Sequence, residues 1–240
     1  MSLLTIVQNA AAEIKIIKPT SVVNNTDPDV ESLFRQINKV GDRLMKLYPW
    51  QILTKEHTFT SVATEEQTGI LPADFDRFRM ETFWNRTDQY FISGPISSTE
   101  WQGLKATSYS TEEYRKFAIR GDSILVIPTM GAGKTLAFEY VSKNWCQSAL
   151  SVGQTVFAAD TDTSIINEEL LTRGLIWEHL NAEGLPNAAE ANNFVEYYKI
   201  LVKNDRPNSK VMTAGDIFGG VNSSRRFTGA PTVSGGGALF

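Results

Sequence analysis

The sequence has few of the residues that do most protein chemistry. Among 240 residues there is one cysteine, Cys146, and there are two histidines, His57 and His179. One cysteine excludes an intramolecular disulfide and fits a reducing compartment. No base and no helix N-terminus stands beside Cys146 in "KNWCQS", so it reads as a buried or half-buried bystander rather than a nucleophile. Neither histidine has metal-ligand spacing to a cysteine or to the other histidine. His57, in the alternating "KEHTFT", reads as a strand-surface residue, and His179 as one that meets the negative end of a helix dipole. There is no G-x-S-x-G elbow, so the sequence gives a serine hydrolase no support. Long apolar runs are also missing: no window approaches the roughly 18 uninterrupted apolar residues of a membrane span. The N-terminus lacks the basic start and apolar core of a signal peptide, and the expectation is a protein made in a cytoplasm and used there or within an assembly formed there. A positive excess is lacking too. With 23 Lys and Arg against 27 Asp and Glu, the net charge is −4, which argues against the nucleic-acid backbone as main partner but lets DNA pass nearby without being gripped.

One short stretch does suggest chemistry. "PTMGAGKTLAFEY", residues 128–140, contains the Gly-Ala-Gly-Lys-Thr that closes many nucleotide-binding loops. A phosphate cradle needs G-x-x-x-x-G-K-[ST] between a buried strand and a helix N-terminus. Here the first glycine is replaced by Pro128, which has no N–H, and "TLAFEYVS" alternates with the period of a strand. The expectation is a hairpin between "SILVIP" and "TLAFEYVS", with Gly131 and Gly133 at positive φ and Lys134 in water. A nucleotide-dependent enzyme using Gly131–Thr135 remains the alternative. "ADTDTS", residues 159–164, resembles half a calcium loop but lacks the mid-loop glycine and the distal glutamate, and helix capping accounts better for Asp160 and Asp162. The pairs Glu65-Glu66 and Glu112-Glu113 sit in polar stretches and read as solvated surface. No cofactor and no metal is expected.

Along the chain, Ser2 is positioned to cap a helix carrying Leu3, Ile6, Val7, Ala10 and Ile14 at helical spacing, ended by Pro19. Asp27-Pro28 opens the clearest helix, whose stripe runs Val30, Leu33, Phe34, Ile37, Val40, Leu44 and Leu47 before Tyr48-Pro49 stops it. From Trp50 to about Trp145, short alternating runs punctuated by Gly and Pro predict antiparallel strands, with a short helix capped at Ser97 or Ser98. Helical spacing then returns. One helix is expected with caps among Asp162–Ser164 and a buried face of Ile166, Leu170, Leu171, Trp177 and Leu180, ended by Gly184 and Pro186. A last helix presents Ala188, Ala191, Phe194, Val195, Tyr198, Leu201 and Val202. The fold class is therefore α+β. Residues 1–49 and 161–206 are expected to form a helical bundle, 50–160 an inserted antiparallel β-rich domain, and 207–240 an extended C-terminal arm.

The arm is rich in Gly, Ser and Thr, and by composition is a flexible tail. It nevertheless carries Ile217, Phe218, Phe227, Leu239 and Phe240 as spaced apolar residues, with Arg225 and Arg226 between them. Two readings stand: a solvated end, or a docking arm whose apolar residues anchor in a partner's grooves.

Several blocks taken in order resemble a known family. "LLTIVQNAAAEI", "DPDVESLFRQINKVGDRLMKLYPWQILTKEHTFTSV", "LPADFDRFRMETFWNRTDQ", "GPISSTEWQGLK", "RKFAIRGDSILVIP", "TLAFEYVSKNW", "DTDTSIINEELLTRGLIW" and "NFVEYYKILV" together resemble the head-to-tail adaptor proteins of tailed bacteriophages, particularly short-tailed ones, over about residues 3–202. The resemblance implies a virion protein without catalysis: a dodecameric ring beneath the portal protein that extends the DNA channel toward the tail nozzle, assembled in the host cytoplasm. It also implies a Gly-rich hairpin at "MGAGKT". Its blocks are structural, so no catalytic residue is carried over. A solitary binding module is a third possibility.

Overall fold

A computed structural model of the chain describes residues 1–107 and 115–205. Ser2 opens the first helix by accepting the Thr5 amide on its hydroxyl, and α1 (Leu3–Glu13) buries Leu3, Ile6, Val7, Ala10 and Ala11. Asp27 likewise caps α2 (Pro28–Leu47) through the Asp29 amide, and Val30, Leu33, Ile37, Val40 and Leu44 turn inward. A 3-10 turn, Gln51–Leu53, leads to β1 (Thr54–Thr60), β2 (Glu66–Gln67), β3 (Phe75–Phe78), β4 (Trp84–Asn85) and β5 (Tyr90–Phe91). Ser97 caps α3 (Ser98–Ala106) by accepting the Glu100 amide, and α3 buries Trp101. Next come β6 (Lys116–Arg120), β7 (Ser123–Ile127), β8 (Thr135–Ser142), β9 (Cys146–Gln147), β10 (Gly153–Gln154) and β11 (Thr163–Ser164), and the helices α4 (Glu168–Ala182) and α5 (Ala188–Asp205) close the series. The fold is α+β, with five helices among the described residues and antiparallel pairing throughout the named strands.

β8 organises the largest sheet. It pairs with β1 from Thr54↔Val141 to Thr60↔Thr135, and its other edge takes β3 and β4, with β5 beyond β4. β7 belongs to a separate sheet, between β2 and β6, and β9 lies between β10 and β11 in a third. The expected hairpin of "SILVIP" with "TLAFEYVS" is therefore corrected: β7 and β8 do not pair, and the glycine-rich stretch carries the chain from one sheet to another. The true hairpin is β6–β7, turning at Gly121, whose φ of 63° lies in the left-handed region that favours glycine.

Two main cores result. One joins α1, α2 and α4 with Val141, Trp145, Cys146 and Phe157, so the end of β8 and the β9 region pack among the helices. The other fills the large sheet's inner side with Phe83, Phe117, Leu136, Phe138 and Tyr140. Close approach in the helical core depends on two glycines. A Cβ at Gly41 would lie 2.3 Å from the Trp145 ring, and one at Gly174 would lie 2.6 Å from Val40. Glu178 on α4 is bound by Lys39 and, at 3.0 Å, by Arg43, both on α2. Burial pushes its carboxyl up, but the two cations outweigh burial and hold it below the usual range.

Two further helix expectations change. α4 is capped by Asn167, which accepts the Leu170 amide, and not from Asp162–Ser164. The Leu3 and Leu4 amides reach back to the carbonyls of Asp162 and Asp160, and Thr163–Ser164 is committed to pairing with β9, so that stretch is extended and cannot start a helix. In α5 the expected apolar stripe is only partly used: Phe194 is buried, while Val195 stands 42% exposed.

Candidate functional site

The Gly131–Thr135 loop is held by Ser61 at the end of β1. The Ser61 hydroxyl donates to the Gly131 carbonyl at 2.7 Å and accepts the Lys134 amide at 3.0 Å, while the Gly133 amide donates to the Ser61 carbonyl. The Thr135 amide goes to the Thr87 hydroxyl. Loop donors that a phosphate would need are thus turned inward to protein acceptors, and β8, not a helix, follows. Only Gly133, at φ 81°, takes the left-handed region; Gly131 does not, correcting that expectation. Lys134 is not in open water either. It pairs with Asp88 at 2.8 Å, and this contact holds the Asp88 carboxyl below its ordinary range. A cleft of about 400 Å³ beside the loop has both Asp88 and Arg115 in its wall, charges of opposite sign.

The other chemistry-bearing residues also have structural occupations. Asp160 accepts the Val22 and Val23 amides, and Asp162 accepts those of Ala158 and Ala159; neither caps a helix, because each is used to pin a loop. Among the described residues no group of His, Cys, Asp and Glu could hold a metal ion. Cys146 is buried, and burial, reinforced by Asp162, pushes its thiol up to about 12, which leaves almost no thiolate at neutral pH. His57 is half-buried rather than on the open surface: its ring packs against Phe138, with centroids 5.5 Å apart, because Phe138 is its direct partner on β8. His179 lies in the last turn of α4 as expected, but buried. Glu65 is ion-paired with Lys105, and Glu66 lies in β2. Glu112-Glu113 and the arm residues Ile217, Phe218, Arg225, Arg226, Phe227, Leu239 and Phe240 lie outside the described residues.

Two surfaces stand out that the sequence alone did not mark. The outer face of the large sheet is formed by residues directly opposite one another across strands: Glu56 faces Glu139, and Thr58, Ala137, Trp84 and Phe91 form the next row. Trp84 is 46% exposed there, its ring tilted against that of Phe91, and a shallow pocket of about 260 Å³ is bounded by Glu56, Glu81, Glu139, Trp84 and Arg86. The second surface is the outward stripe of α5, where Ile200 is 54% exposed between Lys199 and Lys203. The alternation of "LAFEYV" did put Glu139 on the face opposite Phe138, yet only the strand order shows that Glu56 and Trp84 share that face. No described helix is long and apolar enough to cross a membrane. In comparisons with known proteins, no family model matches the chain and no curated protein matches it.

Proposed function

We propose that this chain is a structural virion protein, a head-to-tail adaptor that assembles as a dodecameric ring between the portal protein and the tail nozzle and extends the DNA channel. The ordered blocks of resemblance over residues 3–202 carry the reading. One feature of the protomer supports it: an 18-residue helix and a sheet face bearing a tryptophan both leave apolar side chains open to solvent, surfaces of the kind that neighbouring copies cover. In this proposal α1, α2, α4 and α5 form the helical bundle, the strands between them form the inserted domain, and residues 207–240 form the arm that docks on the portal through Ile217, Phe218, Arg225, Arg226, Phe227, Leu239 and Phe240. No catalysis is part of it. DNA passes through without specific binding, because a chain of net charge −4 neutralises few phosphates and releases few counterions.

Analytical ultracentrifugation and negative-stain microscopy of the full chain test the ring: annular particles built from the 26.7 kDa chain are expected, and a protein that stays monomeric at every concentration refutes it. Truncation after Pro207 tests the arm, with loss of co-sedimentation with portal rings as the expected result. The competing nucleotide reading has its own measurement. Calorimetry should detect no ATP or GTP binding, and Lys134→Ala should leave assembly intact; saturable binding that depends on Lys134 would favour the enzyme instead.

A further inference from the structure

The sheet face around Trp84 breaks a rule of β-structure. Like charges directly opposite on neighbouring strands repel, and Glu56 and Glu139 are such a pair. Arg86 binds Glu56 at 2.6 Å, but among the described residues no cation binds Glu139, although it is half-buried on the central strand. Glu81, on the rim of the same pocket, adds a third carboxylate against the one guanidinium. The pocket lining therefore holds three carboxylates and one guanidinium around an exposed aromatic ring, with Arg79 anchored beyond it on the Pro49 carbonyl and the Thr54 hydroxyl, an arrangement that suits cations carried on an apolar support.

The same chain presents such a support. On α5, Val195, Lys199 and Lys203 follow one another at intervals of four, and Ile200 lies beside Lys199 and three residues before Lys203, so all four share the exposed side of the helix. Neither lysine has an ion-pair partner among the described residues, and Ile200 stands between them exposed. Glu196 is the acid within the stripe, toward its N-terminal part, and Asp205 in the last turn is turned to the Gln51 amide, so the outward charges of the last turns are Lys199 and Lys203.

We infer that the seat of α5 is the sheet face of a neighbouring copy, with Lys199 and Lys203 meeting Glu56 and Glu139 while Ile200 covers Trp84. The contact joins two different surfaces, so it is heterologous. It propagates from copy to copy and closes into a ring where the rotation permits, whereas two-fold pairing would stop at a dimer. The inference rests on the ring reading above and names one of its interfaces. It also gives a physical reason for the Glu56–Glu139 pairing, in which Arg86 binds Glu56 alone: the contact would bring Glu139 a cation that the protomer does not supply.

The experiment is a charge exchange in the full chain, read by sedimentation velocity, with circular dichroism to confirm the fold. One variant carries Glu56→Lys and Glu139→Lys, the other Lys199→Glu and Lys203→Glu. Each alone should need at least about tenfold higher concentration to assemble, because like charges then meet at every contact. An equimolar mixture should assemble again, since the two chains alternate with opposite charges at each junction. Should Glu139→Lys disturb the central strand, Trp84→Ser paired with Ile200→Ser tests the apolar half of the contact, and each alone should weaken assembly. Rings that form normally from each charge variant, or variants that fail singly and are not restored by mixing while still folded, overturn this contact and leave the ring reading standing. A wild-type chain that never forms rings overturns both.

Discussion

α4 and α5 follow one another, run to 15 and 18 residues, and are similarly mixed in sequence, yet they have opposite surroundings. α4 packs on α1, α2 and α5 and buries Leu170, Leu171, Leu175 and Ile176 along with Gly174, Glu178 and His179. Of α5, only Phe194 is buried. A helix enclosed on most sides loses the two-faced pattern of an ordinary surface helix, because even its polar residues must find partners inside; Glu178 does so with Lys39 and Arg43. α5 lacks a clear pattern for the contrary reason. One side rests on α4, with Phe194 stacked on Trp177, and the other carries Ile200 and Val195 outward with no described neighbour to receive them. Weak amphipathicity in a sequence thus has two distinct causes, and only the surroundings separate them.

The comparison breaks most sharply at the centre of α4. Leu171→Ala should cost about 2–5 kcal/mol of stability, since the side chain is fully buried among three helices and its loss leaves a cavity. Gly174→Val should cost about 1–3 kcal/mol or more through overpacking against Val40 and Phe194. Urea unfolding followed by tryptophan fluorescence measures both, and a midpoint unchanged by either substitution would contradict the enclosed position of α4.

Next in size is the tie between β8 and the loop before β3. Asp74 accepts bonds from Tyr140 and Ser142, each at 2.8 Å, and from Lys55 at 2.7 Å. Burial pushes its carboxyl up, but the bonds from Lys55, Ser142 and Tyr140 prevail and hold it at about 2, against an ordinary value of 3.8. Its folded-state value lies below the unfolded one, so the stabilisation is fully present above about pH 4 and is lost as the pH falls toward 2. Asp74→Asn should lower stability at neutral pH by on the order of 2 kcal/mol and flatten the acid limb between pH 4 and 2, a change that acid titration of the unfolding midpoint reads directly.

The smallest effect is expected on α5. Ile200→Ser should move folding stability by no more than about 0.5 kcal/mol, because the side chain already faces water. The same substitution should weaken assembly, so comparing unfolding with sedimentation separates a residue that holds the fold from one that faces a partner. A large loss of stability would mean that α5 is bound into the protomer more tightly than its exposure indicates.

Local chemistry was the part open to reading from the residues. Ser2, Asp27 and Ser97 cap the helices they precede because an oxygen-bearing side chain in extended backbone has one short-range use there, and period-two runs became strands. Asp162 misled for the same local reason: it has a cap's chemistry, but the α1 amides hold that stretch extended, and Asn167 takes the role instead. The strand that follows the glycine-rich loop was legible in its period of two, while the loop's role as a crossing between sheets was invisible, since strand pairing is decided far along the chain.

The sequence by itself determined the helical runs of α1, α2 and α3, the strand runs around His57 and Phe138, the isolation of Cys146, and the lack of an intact nucleotide motif, because propensity, capping and periodicity act over a few residues. The tertiary structure alone decided that β8 collects β1, β3 and β4, that Glu56 stands opposite Glu139 beside an open Trp84, and that α5 keeps its lysines and Ile200 outward. Those arrangements depend on contacts between residues dozens of positions apart, whose register is set by the burial of a whole sheet face and leaves no mark in any local stretch of sequence.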